Sequence, residues 1–172
     1  MHPAFEAFST SILPVLDIAG TAVFAVSGAL AAARERLTIL TFMFFAAITG
    51  VGGGTVRDLL IGAPVAWMHN STGITVCMVC ALLVRFPPGR PGSERAVVWF
   101  DGMGIAAYGV YGAANPIALG IPLVPAALMG IVSARMGGIL RHVLTGVPPL
   151  PIPSALHLPA APLSHCTHVF LT

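Results

Sequence analysis

Three ionisable residues stand inside long apolar runs, Asp17, Asp101 and Arg135, and two more, Arg57 and Arg141, stand at the ends of such runs. A charge at the centre of a membrane helix costs about 2.5 to 3.5 kcal/mol on insertion scales, so such residues pair or face water. Their chemistry is to hold an opposite charge, or to attract and pass an ion. Depth along the apolar runs predicts an Asp17–Arg57 pair near one face and an Asp101–Arg141 pair near the other. Both pairs are equally open to a structural role as clamps. Arg135 has no acid left to pair with, so it either lines a pore or snorkels toward the interface. In a pore it would disfavour cations unless screened or movable.

The run Gly50-Val51-Gly52-Gly53-Gly54-Thr55-Val56-Arg57-Asp58 is the densest feature. Each glycine weakens a helix by about 1 kcal/mol relative to alanine. Three in a row predict a kink, which lipid tolerates only where the chain faces protein or a watery cavity. Its counterpart is Arg135-Met136-Gly137-Gly138-Ile139-Leu140-Arg141-His142. The alternative use of these glycines is close helix packing. No zinc-protease motif, phosphate loop or paired catalytic carboxylates occur, so no enzyme, cofactor or metal site is expected. Cys77 and Cys80 form a C-x-x-C within an apolar run, which reads as buried thiols.

The two glycine clusters belong to an internal repeat. A shift of 84 residues carries Asp17 onto Asp101, Gly20 onto Gly104 and Gly28-Ala29 onto Gly112-Ala113. The same shift carries Gly53-Gly54 onto Gly137-Gly138, Arg57 onto Arg141, and Leu60, Gly62 and Pro64 onto Leu144, Gly146 and Pro148. One gapless shift serving both ends of the stretch marks a duplication.

The elements that carry these residues follow from composition. Of 172 residues 56% are hydrophobic and 8% charged, with a mean hydropathy of +0.91. Soluble domains carry roughly a quarter of their residues as charges, so the chain reads as an all-α integral membrane protein. A net charge of +2, scattered along the chain, excludes a nucleic-acid-binding face. A span needs about 20 apolar residues, and five stretches qualify: 12–33, 37–56, 63–84, 96–114 and 121–140. The tail 148–172 is crowded with proline, which predicts an irregular or re-entrant segment over a sixth span. The chain reads as one membrane domain, with repeat 1 over 1–86, a polar linker over 87–95 and repeat 2 over 96–172.

Three spans per copy bring the second copy in from the opposite face, an inverted-topology repeat typical of secondary transporters. Arg34 and Arg36, with Arg85, Arg90 and Arg95, share one side of the membrane. By the positive-inside rule that side is cytoplasmic and the N-terminus is outside. Trp67 and Trp99 suit the aromatic belts, and His69 and Asn70 an interfacial role.

The motif Gly52-Gly53-Gly54 followed by Arg57-Asp58 and Pro64 resembles the bacterial relatives of the trimeric intracellular cation (TRIC) channels. The run Asp17, Gly20, Phe24-Ala25-Val26-Ser27-Gly28-Ala29 is similar to that family's first helix. The resemblance implies a homotrimer in the cell inner membrane, each subunit conducting potassium and other monovalent cations through its own pore. It also implies two three-helix repeats with a seventh helix, and a pore lined by the second and fifth helices. Carried over, it points to Gly52, Gly53, Gly54 and Arg57, and to Gly137, Gly138 and Arg141. His142 departs from the pattern, standing where an acid is expected. A small-solute transporter, for an amino acid such as glycine, and a structural protein whose arginines hold lipid headgroups are the alternatives.

Overall fold

The computed structural model describes residues 12–35, 37–86 and 94–146; Arg36, Arg90 and the tail from 148 lie outside them. All regular structure among the described residues is α-helical: α1 (Leu13–Arg34), α2 (Ile39–Leu60), α3 (Ala66–His69), α4 (Thr72–Arg85), α5 (Glu94–Ala118) and α6 (Leu123–Thr145). Among them, α1, α2 and α6 are long and apolar enough to cross a membrane, while α4 is apolar but has only 14 residues. At 25 residues α5 is the longest, yet it falls outside that group because Glu94, Arg95, Asp101 and several glycines dilute its apolar content.

Apolar residues face both inward and outward, as lipid requires of a bundle. Phe24, Phe42, Phe45 and Tyr108 are buried, while Leu40, Leu83, Trp99, Val124 and Val143 are largely exposed. The stretch expected as one span over 63–84 is split at Asn70-Ser71 into α3 and α4. Asn70 stabilises the break, because its Oδ1 accepts from the Thr72 amide at 3.0 Å and from the Thr72 hydroxyl at 2.6 Å. The second span extends beyond the expected end at Val56 to Leu60, so Arg57 and Asp58 are helical residues. Each can stay inside the helix because it neutralises the other. Gly62 and Gly146, repeat counterparts, follow α2 and α6 with φ of 69° and 65°. That left-handed backbone favours glycine and ends both helices at matching places.

Helix α1 lies at the centre, against α2, α4 and α5, and α2 also packs against α6. The contacts between α1 and α5 run in opposite chain directions. The Tyr108 ring sits 2.6 Å from where a Cβ on Gly20 would lie, and the Phe24 ring 2.9 Å from where one on Gly104 would lie. Shifting either contact by 84 residues gives the other. Helices α2 and α6 behave alike, with Gly53 against the carbonyl of Ser133 and Gly137 against that of Thr49. Such reciprocity is the mark of a two-fold relation, in which residue i meets j and j meets i.

Neither glycine cluster interrupts its helix. Gly52, Gly53 and Gly137 serve instead as points of close approach, Gly52 receiving the Leu140 side chain. Both helices run on through the clusters as continuous α-helix. Interhelical contact outweighs a propensity cost of about 1 kcal/mol per glycine.

Candidate functional site

The repeat places an acid on α1 and on α5 and an arginine near the end of α2 and of α6. Packing then brings these into two clusters. Asp17 and Ser27, one in each cluster, are ten residues apart on α1, which is about 15 Å along a helix.

In the Asp101 cluster, Arg141 Nη1 lies 2.5 Å from Asp101 Oδ1 and donates also to Ser27 Oγ. The Ser27 hydroxyl donates to the same carboxylate oxygen at 2.7 Å. Arg141 Nη2 is 3.1 Å from His142 Nε2. Arg141 is buried, and Ser27, from the other repeat, completes its surroundings. A charge this far from water needs such full pairing.

In the Asp17 cluster the expected Asp17–Arg57 pair does not form. Arg57 donates through Nε and Nη2 to Asp58 Oδ1, at 2.9 and 2.6 Å. Its guanidinium carbon lies 4.7 Å from the centre of the Tyr111 ring, within cation–π range. Arg57 is 1% exposed, and its Nη1 is buried without a partner. Asp58 uses its second oxygen to accept from the Ala66 amide at 3.1 Å, fixing the start of α3. Asp58 adjoins Arg57 in the chain and already holds it, whereas its counterpart His142 offers Arg141 no negative charge.

Asp17 is thereby left without a cationic partner among the described residues. Asp17 accepts from Tyr108, whose hydroxyl is 3.4 Å from Asp17 Oδ1, 3.4 Å from the Gly50 carbonyl and 2.7 Å from Thr21 Oγ1. Asp17 lines a cavity of about 180 Å³ together with Thr21, Gly54, Thr55, Arg57, Trp67 and Tyr108. The Trp67 indole donates to Thr55 Oγ1 at 2.8 Å, which fixes one wall. The cavity presents a half-buried carboxylate and hydroxyl oxygens, groups suited to partly replacing the hydration shell of a cation.

The remaining candidates divide between the two sites and the surface. Gly54 lines the cavity, and Gly138 lies beside Asp101, where an added Cβ would be 3.7 Å from Oδ2. Arg135 is exposed on the face of α6 that also carries Leu128, Ile131 and Ile139. It is turned away from the cavity. Its counterpart Val51 packs beside α1, α2 and α4. Sequence reasoning missed Ser27, Thr21, Tyr108 and Tyr111. The one available signal was their place in α1 and α5 beside repeated glycines.

The family model described as "Glycine transporter" matches this chain twice, over residues 14–87 and 98–172. The two matches begin 84 residues apart, and the second runs through the proline-rich tail. A UPF0126 membrane protein of Vibrio cholerae is 33% identical over 167 residues, covering 94% of this chain and 69% of its own. The UPF0126 inner membrane protein YadS of Escherichia coli K12 is 35% identical over 161 residues, covering 89% and 75%. Among solved structures, the TRIC trimeric intracellular cation channel orthologue from Rhodobacter sphaeroides matches with a TM-score of 0.79. That match has 35% identity and covers 89% of this chain and 80% of that one. A prokaryotic TRIC channel has the same fold, with a TM-score of 0.73 at 23% identity over 88% and 79%.

Proposed function

Because the chain belongs to the bacterial TRIC family of multi-pass membrane proteins, we propose that it is a channel for monovalent cations, potassium among them, with a pore inside each subunit. The observation that carries this reading is the likeness in sequence and fold to the Rhodobacter sphaeroides channel over 89% of the chain. Its own chemistry agrees, since Asp17 has no ion-pair partner among the described residues and lines a cavity that Thr21, Thr55 and Tyr108 also line.

In this reading the two copies form an inverted-topology repeat. The antiparallel, reciprocal contacts of α1 with α5 and of α2 with α6 support it, as does the double match of one family model. The pore follows the seam between the copies, with α2 and α6 as its principal walls and Arg57 and Arg141 near its two ends. Gly52, Gly53, Gly54, Gly137 and Gly138 let those helices slide and bend as the seam opens. The N-terminus and the Asp17 cavity face outside, the arginine-bearing loops face the cytoplasm, and three copies assemble in the membrane.

Purified protein in planar bilayers tests the proposal. Expected are ohmic unitary currents with a reversal potential that follows the potassium gradient. Saturating, counterflow-stimulated glycine uptake without unitary events would instead identify a transporter. Liposomes that stay impermeable to potassium would leave only a structural role.

A further inference from the structure

Arg57 and Arg141 occupy the same place in the two repeats, and so do Asp17 and Asp101, yet one acid is held and the other is not. Arg141 takes Asp101 at 2.5 Å. Arg57 takes Asp58 at 2.6 Å, and Asp17 turns to the cavity. The helix packing is closely matched, with reciprocal contacts at Gly20–Tyr108 and Phe24–Gly104. Around Asp17 the Tyr108, Thr21 and Thr55 hydroxyls stand where the other copy has Phe24, Ile105 and Ile139, and two differences lie against the arginines themselves. One is the next residue in the chain, Asp58 against His142; the other is the facing residue of the opposite repeat, Tyr111 against Ser27.

We propose that the residue following each arginine decides whether the acid of the neighbouring helix is free to receive a cation: Asp58 frees Asp17, and His142 leaves Asp101 locked. The inference rests on the channel reading and assigns its cation-receiving group. Arg57 turns both Nε and Nη2 onto Asp58 Oδ1, and a guanidinium so engaged is not available to the acid across the helix interface. A neutral imidazole cannot supply that charge, and the arginine reaches across to α5 or α1. Serine and tyrosine then adapt to the outcome. Ser27 joins the closed cluster by hydrogen bonds to both partners. Tyr111 covers the arginine that has turned away.

The consequence is an asymmetric pathway. At the Asp17 end a cavity of about 180 Å³ is lined by Asp17, Thr21, Thr55, Arg57, Asp58 and Tyr108 together with apolar residues. Counting the charged groups there, Asp17 and Asp58 outweigh Arg57 by one negative charge, which concentrates cations locally. At the other end Asp101 and Arg141 cancel, with Ser27 closing the gap between them. Passage there requires that pair to separate. The Asp101 cluster is therefore the narrower barrier.

The test exchanges the two deciding residues. In bilayers under a potassium chloride gradient, Asp58→His should return Arg57 to Asp17 and lower unitary conductance by roughly tenfold, as should Asp17→Asn. His142→Asp should free Asp101 and raise conductance several-fold. The pairing itself is read without current, by melting temperatures in detergent. Asp17→Asn should cost little in wild type but several degrees in the Asp58→His background, where the new pair exists. If wild type carries no unitary current, the channel reading falls while the melting cycle still judges the pairing. Should Asp58→His fail to fold, His142→Asp decides alone, and unchanged conductance in that folded variant overturns the proposal. Equal costs of Asp17→Asn in both backgrounds overturn it as well.

Discussion

Gly53 meets the backbone carbonyl of Ser133 so closely that no methyl group fits between α2 and α6. The equivalent contact, Gly137 on the carbonyl of Thr49, has the same character. A carbonyl cannot rotate aside as a side chain can, so the whole interface must open to admit a Cβ. Gly53→Ala is expected to destabilise by about 1 to 3 kcal/mol, the usual range for overpacking. Thermal unfolding in detergent checks this, with Gly54→Ala as the control. An alanine Cβ at Gly54 would meet only Arg57 Nη2, at 3.9 Å, and should be tolerated. Equal losses at both positions would contradict the packing role.

Arg141→Ala leaves Asp101 and Ser27 without their shared partner. Removing one member of a buried pair costs about 3 to 5 kcal/mol, and the lower end is expected because Asp101 retains some exposure. Arg141→Ala with Asp101→Asn should recover part of that loss. If the double variant is no more stable than the single one, the pair does not carry the stability assigned to it.

Tyr108→Phe keeps the ring on Gly20 but removes the hydroxyl shared with Thr21, Gly50 and Asp17. Loss of about 1 kcal/mol is expected, typical of one buried hydrogen bond. Its counterpart is already phenylalanine, Phe24, so the packing has a natural precedent within the molecule. A loss several times larger would mean that the hydroxyl organises the cavity as well as bonding within it.

Arg135→Ala should leave stability within about 0.5 kcal/mol of wild type, as for exposed positions without partners. Conductance should also be unchanged, because Arg135 shares an exposed face with Leu128 and Ile131 and stands off the cavity. A conductance change in single-channel recordings would return this arginine to the pathway.

Much of the architecture was legible in the amino-acid order. A chain 8% charged and 56% hydrophobic cannot cover a water-facing surface, which made lipid the solvent before any helix was placed. The 84-residue shift likewise exposed the duplication, and with it the matched places of Asp17 and Asp101 and of Arg57 and Arg141. Local rules located the helices to within a few residues. They failed where side-chain partners intervened, at the helical Arg57-Asp58 and at Asn70-Ser71, where one expected span is split in two.

What tertiary structure decided was which charge meets which. Depth along the apolar runs pointed Arg57 to Asp17, but depth in a membrane gives position along one axis only, and Arg57 meets Asp58 instead. Rotation about each helix settles the rest, and rotation follows from packing: Gly20 under Tyr108, Gly104 under Phe24, Gly53 against Ser133. That packing brought Arg141 within reach of Asp101 and turned Arg135 to the surface, while Arg57 met Asp58 and Asp17 lines a cavity. The repeat determined equivalent places; the folded contacts decided which partner each arginine takes there, since a buried charge takes a partner within its reach.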